Sequence, residues 1–201
     1  IDLKAYEPAM RHLIDTYISA EDAKVVSTFD DLSLVDLIVE RGDAAIDTLP
    51  SNIRKNKKAV AETVENNIRK VINDERPINP KYFENMSQLL DEIIEQRKAE
   101  SIAYEKYLEL IVELTRQVKK PNETRYPKTL DTQAKRALYD NLSQDEELTL
   151  MVDYEIVMSK KDDWRGTVIK EREVKYAIKK HIKDSDELER IFEIVKNQPD
   201  Y

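Results

Sequence analysis

Asp163, followed ten residues later by Glu173-Val174-Lys175, has the residue types of a metal-dependent nuclease. In such a site the carboxylates hold Mg²⁺ and the lysine assists the attacking water. That chemistry needs the glutamate and lysine on a strand, where residues two apart share a face. The stretch "VIKEREVKYAIKK" instead has helical spacing through Ile169, Val174, Ala177 and Ile178, and on a helix Glu173 and Lys175 diverge by about 200°. No catalytic or metal-binding residue is assigned here.

Other chemistries fail on residue supply. A phosphate-cradling loop needs several glycines so that the backbone can wrap the phosphates, and the chain has only Gly42 and Gly166. A dinucleotide fingerprint fails for the same reason. His12 and His181 are far apart and outside any HExxH pattern, and no serine sits on a glycine-flanked elbow. The acid pairs Asp30-Asp31 and Asp162-Asp163 read as helix-terminal caps. No cysteine is present, so neither disulfides nor a thiolate zinc site can form. The reading is of a chain that is not itself an enzyme and holds no cofactor.

Charge is the remaining lead. The net charge is −8, yet it is strongly segregated. Residues 1–50 carry eleven acids against four bases, whereas residues 116–138 carry seven bases against two acids and residues 160–183 nine against four. An anion-binding face would have to come from those basic blocks. Lys170, Arg172, Lys175, Lys179 and Lys180 lie on the polar side of a late helix, with Trp164-Arg165 just before it. Bases beside an aromatic suit phosphate contact with stacking, or an interface anchored by tryptophan and arginine. The competing reading folds Trp164, the only tryptophan, into the core and leaves the lysines as a solvated face. Arg54, Lys55, Lys57 and Lys58 form a second basic block, while Arg125, Lys128 and Arg136 flank a proline-containing loop.

The elements that must position these residues are helices. Glycine is scarce, charged residues make up 37% of the chain, and apolar residues recur at three- and four-residue spacing, which predicts an all-α multi-helix bundle. Met10, Leu13, Ile14, Tyr17 and Ile18 mark a first helix, and Ser33 with Asp36 a capping box that opens a second, stopped by Gly42. Ile53 through Ile72 reads as one long helix. Asn79-Pro80 caps the next, and Ser101 is expected to cap another through Val118.

The stretch "KKPNETRYPKT" lacks periodicity and divides the chain into helical subdomains at 1–120 and 121–201. Thr132 is expected to cap a short helix, Ser143 with Glu146 to cap one through Ile156, and two more helices to finish the chain. No apolar run is long enough for a membrane span and no signal-peptide pattern occurs, so a soluble, cytoplasmic protein is the expectation. The start at Ile1, in mid-pattern, reads as a fragment of something larger.

Several segments are familiar in order. "AYEPAMRHLIDTYISAEDAKVVSTFDDLSLVDLIVERG", "DTLPSNIRKNKKAVAETVENNIRKVI", "INPKYFENMSQLLDEIIEQRK" and "YEKYLELIVEL", then "YPKTLDTQAKRALYDNL", "DDWRG", "KEREVKYAIKK" and "IVKNQPDY", resemble the helical C-terminal region of the motor subunit of type I restriction-modification enzymes. The resemblance implies a non-catalytic portion that docks the subunit onto the methyltransferase and specificity subunits. It also implies that ATP and Mg²⁺ are used by upstream domains. The alternative is a module that guides duplex DNA by its phosphate backbone. The family-like positions suited to contacts are Tyr126, Lys135, Arg136, Tyr139, Trp164, Arg165, Lys170, Lys175, Lys180, Asn197, Gln198 and Tyr201, with some expected to be internal braces.

Overall fold

In the computed structural model, residues 34–49, 51–119 and 125–201 are described, and all their regular structure is helical. The expected helix over residues 10–18 and the proline loop at 120–124 fall outside them.

The first part of the chain comprises α1 (Leu34–Arg41), a 3₁₀ turn (Gly42–Thr48), the single turn α2 (Ser51–Arg54), α3 (Lys57–Glu75), α4 (Pro80–Lys98) and α5 (Tyr104–Lys119). The long helix expected from Ile53 is broken. Asn56 takes an extended conformation and its side chain accepts from the Lys58 and Ala59 amides, so the chain restarts there as α3. Asn79 caps α4 with Pro80 at its first position, as the sequence predicts. Ser101 does not cap α5. Glu100 sits at φ 54, and the Glu100 and Ser101 amides turn back to the Arg97 and Gln96 carbonyls, closing α4 instead. Helices α3, α4 and α5 pack together with α1 against α3 and α5, burying a cluster that includes Ile38, Ile68, Leu90 and Ile111.

A second set follows: α6 (Gln133–Asn141), α7 (Glu146–Ser159), α8 (Val168–Lys179) and α9 (Ser185–Lys196). Each meets the next and α9 closes on α6, enclosing a separate cluster around Leu138, Val152, Ile156, Ile178 and Ile191. Thr132 caps α6 as expected, by accepting from Lys135 N. Ser143 does not cap α7. Ser143 and Gln144 both have positive φ, near 60°, which a cap residue cannot adopt, and Asp145 takes the position by accepting from Leu148 N.

The two sets meet through buried polar groups at the start of α4. Asn79 donates through Nδ2 to Asp140 Oδ2 at 2.7 Å, and its Oδ1 accepts from Asn141 Nδ2 at 2.9 Å. Tyr126 donates to the same Asp140 oxygen at 2.7 Å. Gln198 Nε2 donates to the Ile78 carbonyl, so the end of the chain also grips this junction. Buried amide and carboxylate groups paired this way fix one relative placement, because any slippage would leave donors unsatisfied.

Candidate interaction surface

The loop between α7 and α8 decides the fate of the tryptophan. Asp163 and Gly166 have φ of 53° and 77°, and this double left-handed turn swings Trp164 inward between them. Trp164 is 3% exposed, and its ring lies 6.2 Å from that of Phe192 in the core enclosed by α6–α9. The surface role expected for Trp164 is therefore corrected: a buried indole cannot stack on a base or anchor a partner. Arg165 covers it from outside, 4.9 Å from the ring, and donates to the Lys196 and Gln198 carbonyls. Those bonds brace the chain's end.

Four of the eight lysines from residue 160 onward are matched by acids, among them Lys175 and Lys180 of the expected basic face. Lys175 pairs with Glu189 at 2.5 Å, Lys180 with Glu155 at 2.6 Å, Lys161 with Glu173 at 2.7 Å and Lys196 with Glu171 at 3.3 Å. Lys170 donates to the Asp162 carbonyl. Glu173 and Lys175 thus face different partners on α8, and no group of three or more potential metal ligands occurs among the described residues. Residues 125–201 hold fifteen Lys and Arg against seventeen Asp and Glu, so pairing leaves no broad positive field.

Arg136 donates to the Leu130 carbonyl and lies over Tyr126, while exposed Arg125 lies 6.0 Å from the Tyr82 ring. They precede α7 by 10 and 21 residues and lie at the junction rather than on α8. Tyr126, Gln198 and Tyr201, expected as contact residues, are buried braces. Tyr201 donates to Asp153, and burial followed by that hydrogen bond pushes its phenol well above the ordinary tyrosine range. Glu171 is held below the usual carboxylate range, chiefly by the Gly166 amide that donates to it, which pins the α8 entrance.

A different surface emerges, one that the charge pattern did not reveal. On α7, Met151, Tyr154, Val157 and Met158 point outward, opposite the buried Thr149, Val152 and Ile156. On neighbouring α8, Ile169 is 71% exposed and Tyr176 69% exposed, and they share an outward stripe with Arg172 and Lys180. Ile169, Tyr176 and Ala177 help line a shallow groove of about 580 Å³ that also reaches Ser159, Arg172, Glu173 and Lys180. Isolated exposed apolar residues are ordinary, but several large ones on the outward faces of two helices that pack together indicate surface built for contact. The sequence did carry a signal: "EELTLMVDYEIVMS" is apolar around its whole circumference, and a helix of that kind needs cover on more than one side.

No family model, curated protein or solved structure matches this chain. Among the described residues no helix is long and apolar enough to cross a membrane.

Proposed function

We propose that this chain is a non-catalytic, all-helical assembly module, corresponding to the C-terminal helical region of a type I restriction-enzyme motor subunit. In this reading it docks onto the cytoplasmic core formed by the methyltransferase and specificity subunits, and ATP- and Mg²⁺-dependent work on DNA belongs to other parts of the parent subunit. The observation that carries the proposal is the outward apolar surface of α7 and α8, where Tyr154, Met158, Ile169 and Tyr176 are 62–71% exposed on a bundle whose own core is closed beneath them. Large apolar and aromatic side chains held on rigid helices are the usual anchors of protein interfaces. The ion-paired lysines of α8 argue against a surface devoted to phosphate.

The test is direct titration of the chain into the methyltransferase-specificity core, with Met158→Glu and Tyr176→Glu as comparison variants. Binding by the wild type and at least roughly tenfold weaker binding by the variants is expected, since truncating an anchor at an interface centre removes more than about 1 kcal/mol. Absence of binding by the wild type, or unimpaired assembly of a parent subunit lacking this region, rejects the proposal.

A further inference from the structure

We infer that the groove along α8 receives an acidic amphipathic helix, whose apolar residues cover Ile169 and Tyr176 and whose carboxylates meet Arg172 and Lys179. The inference rests on the assembly reading above and names the chemistry of the partner segment.

Shape comes first. Ile169 and Tyr176 are seven residues apart on one face of α8, so they lie about 10 Å apart along the helix axis. That separation matches the distance between apolar residues at i and i+7 of a partner helix laid alongside. Ala177 and Ser159, both small, also line the groove, so a helix backbone can approach closely.

Charge then selects the partner. Around the groove Lys180 is neutralised by Glu155, and Glu173 by Lys161. Arg172 and Lys179 are exposed and make no ion pair with any other described residue. Two uncompensated cations beside an apolar stripe give the groove a local positive sign, although residues 125–201 carry a slight excess of acids. A partner with carboxylates at its flanks is steered to such a site and oriented by it, while a basic partner is repelled. Duplex DNA fits less well. Tyr176 lies between Arg172 and Lys179 along the helix and Ile169 precedes them, where a phosphate track would need further donors.

The experiment measures fluorescence anisotropy of two labelled peptides titrated with the whole chain. Both peptides have leucines on one helical face; one carries glutamates on the flanks and the other lysines. The glutamate peptide is expected to bind at least about tenfold more tightly than the lysine peptide. Tyr176→Ala should weaken it by roughly tenfold, and Arg172→Glu combined with Lys179→Glu should reverse the preference between the peptides. All three positions are exposed, and circular dichroism verifies that the variants remain folded.

Equal binding of the two peptides, no binding of either, or indifference to the variants overturns the inference. Two other results do so as well: a concentration-dependent dimer abolished by Tyr176→Glu, which gives the face to a second copy, and salt-sensitive duplex binding abolished by the charge reversals, which gives the cations to phosphate. Capture of the methyltransferase-specificity core without acidic-peptide binding sinks this inference alone. The opposite outcome sinks the assembly reading alone.

Discussion

Replacing Trp164 by alanine tests whether this residue belongs to the core or to a partner. Its indole is 3% exposed against Phe192. An aromatic side chain of this size buries about 200–250 Å², which at about 25 cal/mol per Å² corresponds to about 5–6 kcal/mol. Against this stands the indole N–H, which is buried and has no hydrogen-bond partner among the described residues. Such a group carries a desolvation penalty of about 1–3 kcal/mol. The net loss in Trp164→Ala is therefore about 2–5 kcal/mol, in line with other buried tryptophan truncations. Arg165 adds to the loss, because its guanidinium would stand over a void.

Trp164→Phe separates the two contributions: it sheds the unpaired N–H while keeping most of the apolar surface, so it should recover more than half of the stability lost in the alanine variant. The assay is urea unfolding followed by far-ultraviolet circular dichroism, which does not depend on the tryptophan itself. Wild-type fluorescence supplies a second readout, since the single tryptophan should emit at short wavelength and be shielded from acrylamide. An alanine variant within about 0.5 kcal/mol of wild type, the range of ordinary surface substitutions, would refute the argument, particularly with readily quenched wild-type emission.

The junction between the two helical sets should be equally sensitive. Asp140→Ala strands the Asn79 amide and the Tyr126 hydroxyl and should destabilise by about 2–4 kcal/mol in the same urea assay; a change near zero would mean the junction does not constrain the fold. In the first set, Arg97→Ala leaves the buried Glu65 carboxylate facing only Tyr107 and should lose about 3–5 kcal/mol, whereas an apolar replacement of both Arg97 and Glu65 should be close to neutral. Equal losses in the single and double variants would contradict that account.

Burial raises the phenols of Tyr82, Tyr107, Tyr126 and Tyr201, that of Tyr82 to about 12. A group whose pKa is higher folded than unfolded contributes stability that is complete below the unfolded value and disappears as pH rises through the folded one. Stability should accordingly decline from about pH 10 upward, with these phenols ionising as the helix signal is lost. Complete phenolate absorbance with an intact helical spectrum would refute it.

The helices and much of their capping were legible because they depend on local interactions. Apolar periodicity marks which face of α4, α5 and α9 is buried, and Asn79-Pro80 and Thr132 announce helix starts through bonds spanning only three residues. Where two local signals compete, sequence reading failed. Ser101 and Ser143 are plausible caps, but each follows or occupies a left-handed residue that completes the preceding helix, and that choice appears only in the backbone.

Charge was read less well than periodicity. "KEREVKYAIKK" is basic in sequence, but Glu155 and Glu189, the acids that neutralise Lys180 and Lys175, come from α7 and α9. Electrostatic pairing depends on spatial neighbours, and these lie 14 and 25 residues away.

By itself, then, the sequence determined that this chain is built of helices, where most of them begin, and that it lacks the glycines and cysteines that several chemistries require, since each of these follows from residue type and short-range spacing. Only the tertiary structure decided that Trp164 is a core residue, that Lys161, Lys175, Lys180 and Lys196 are paired with acids, and that Ile169 and Tyr176 are left uncovered. Burial and pairing are properties of what packs against a side chain, and a helix's own sequence does not record which of its faces the neighbouring helices will cover.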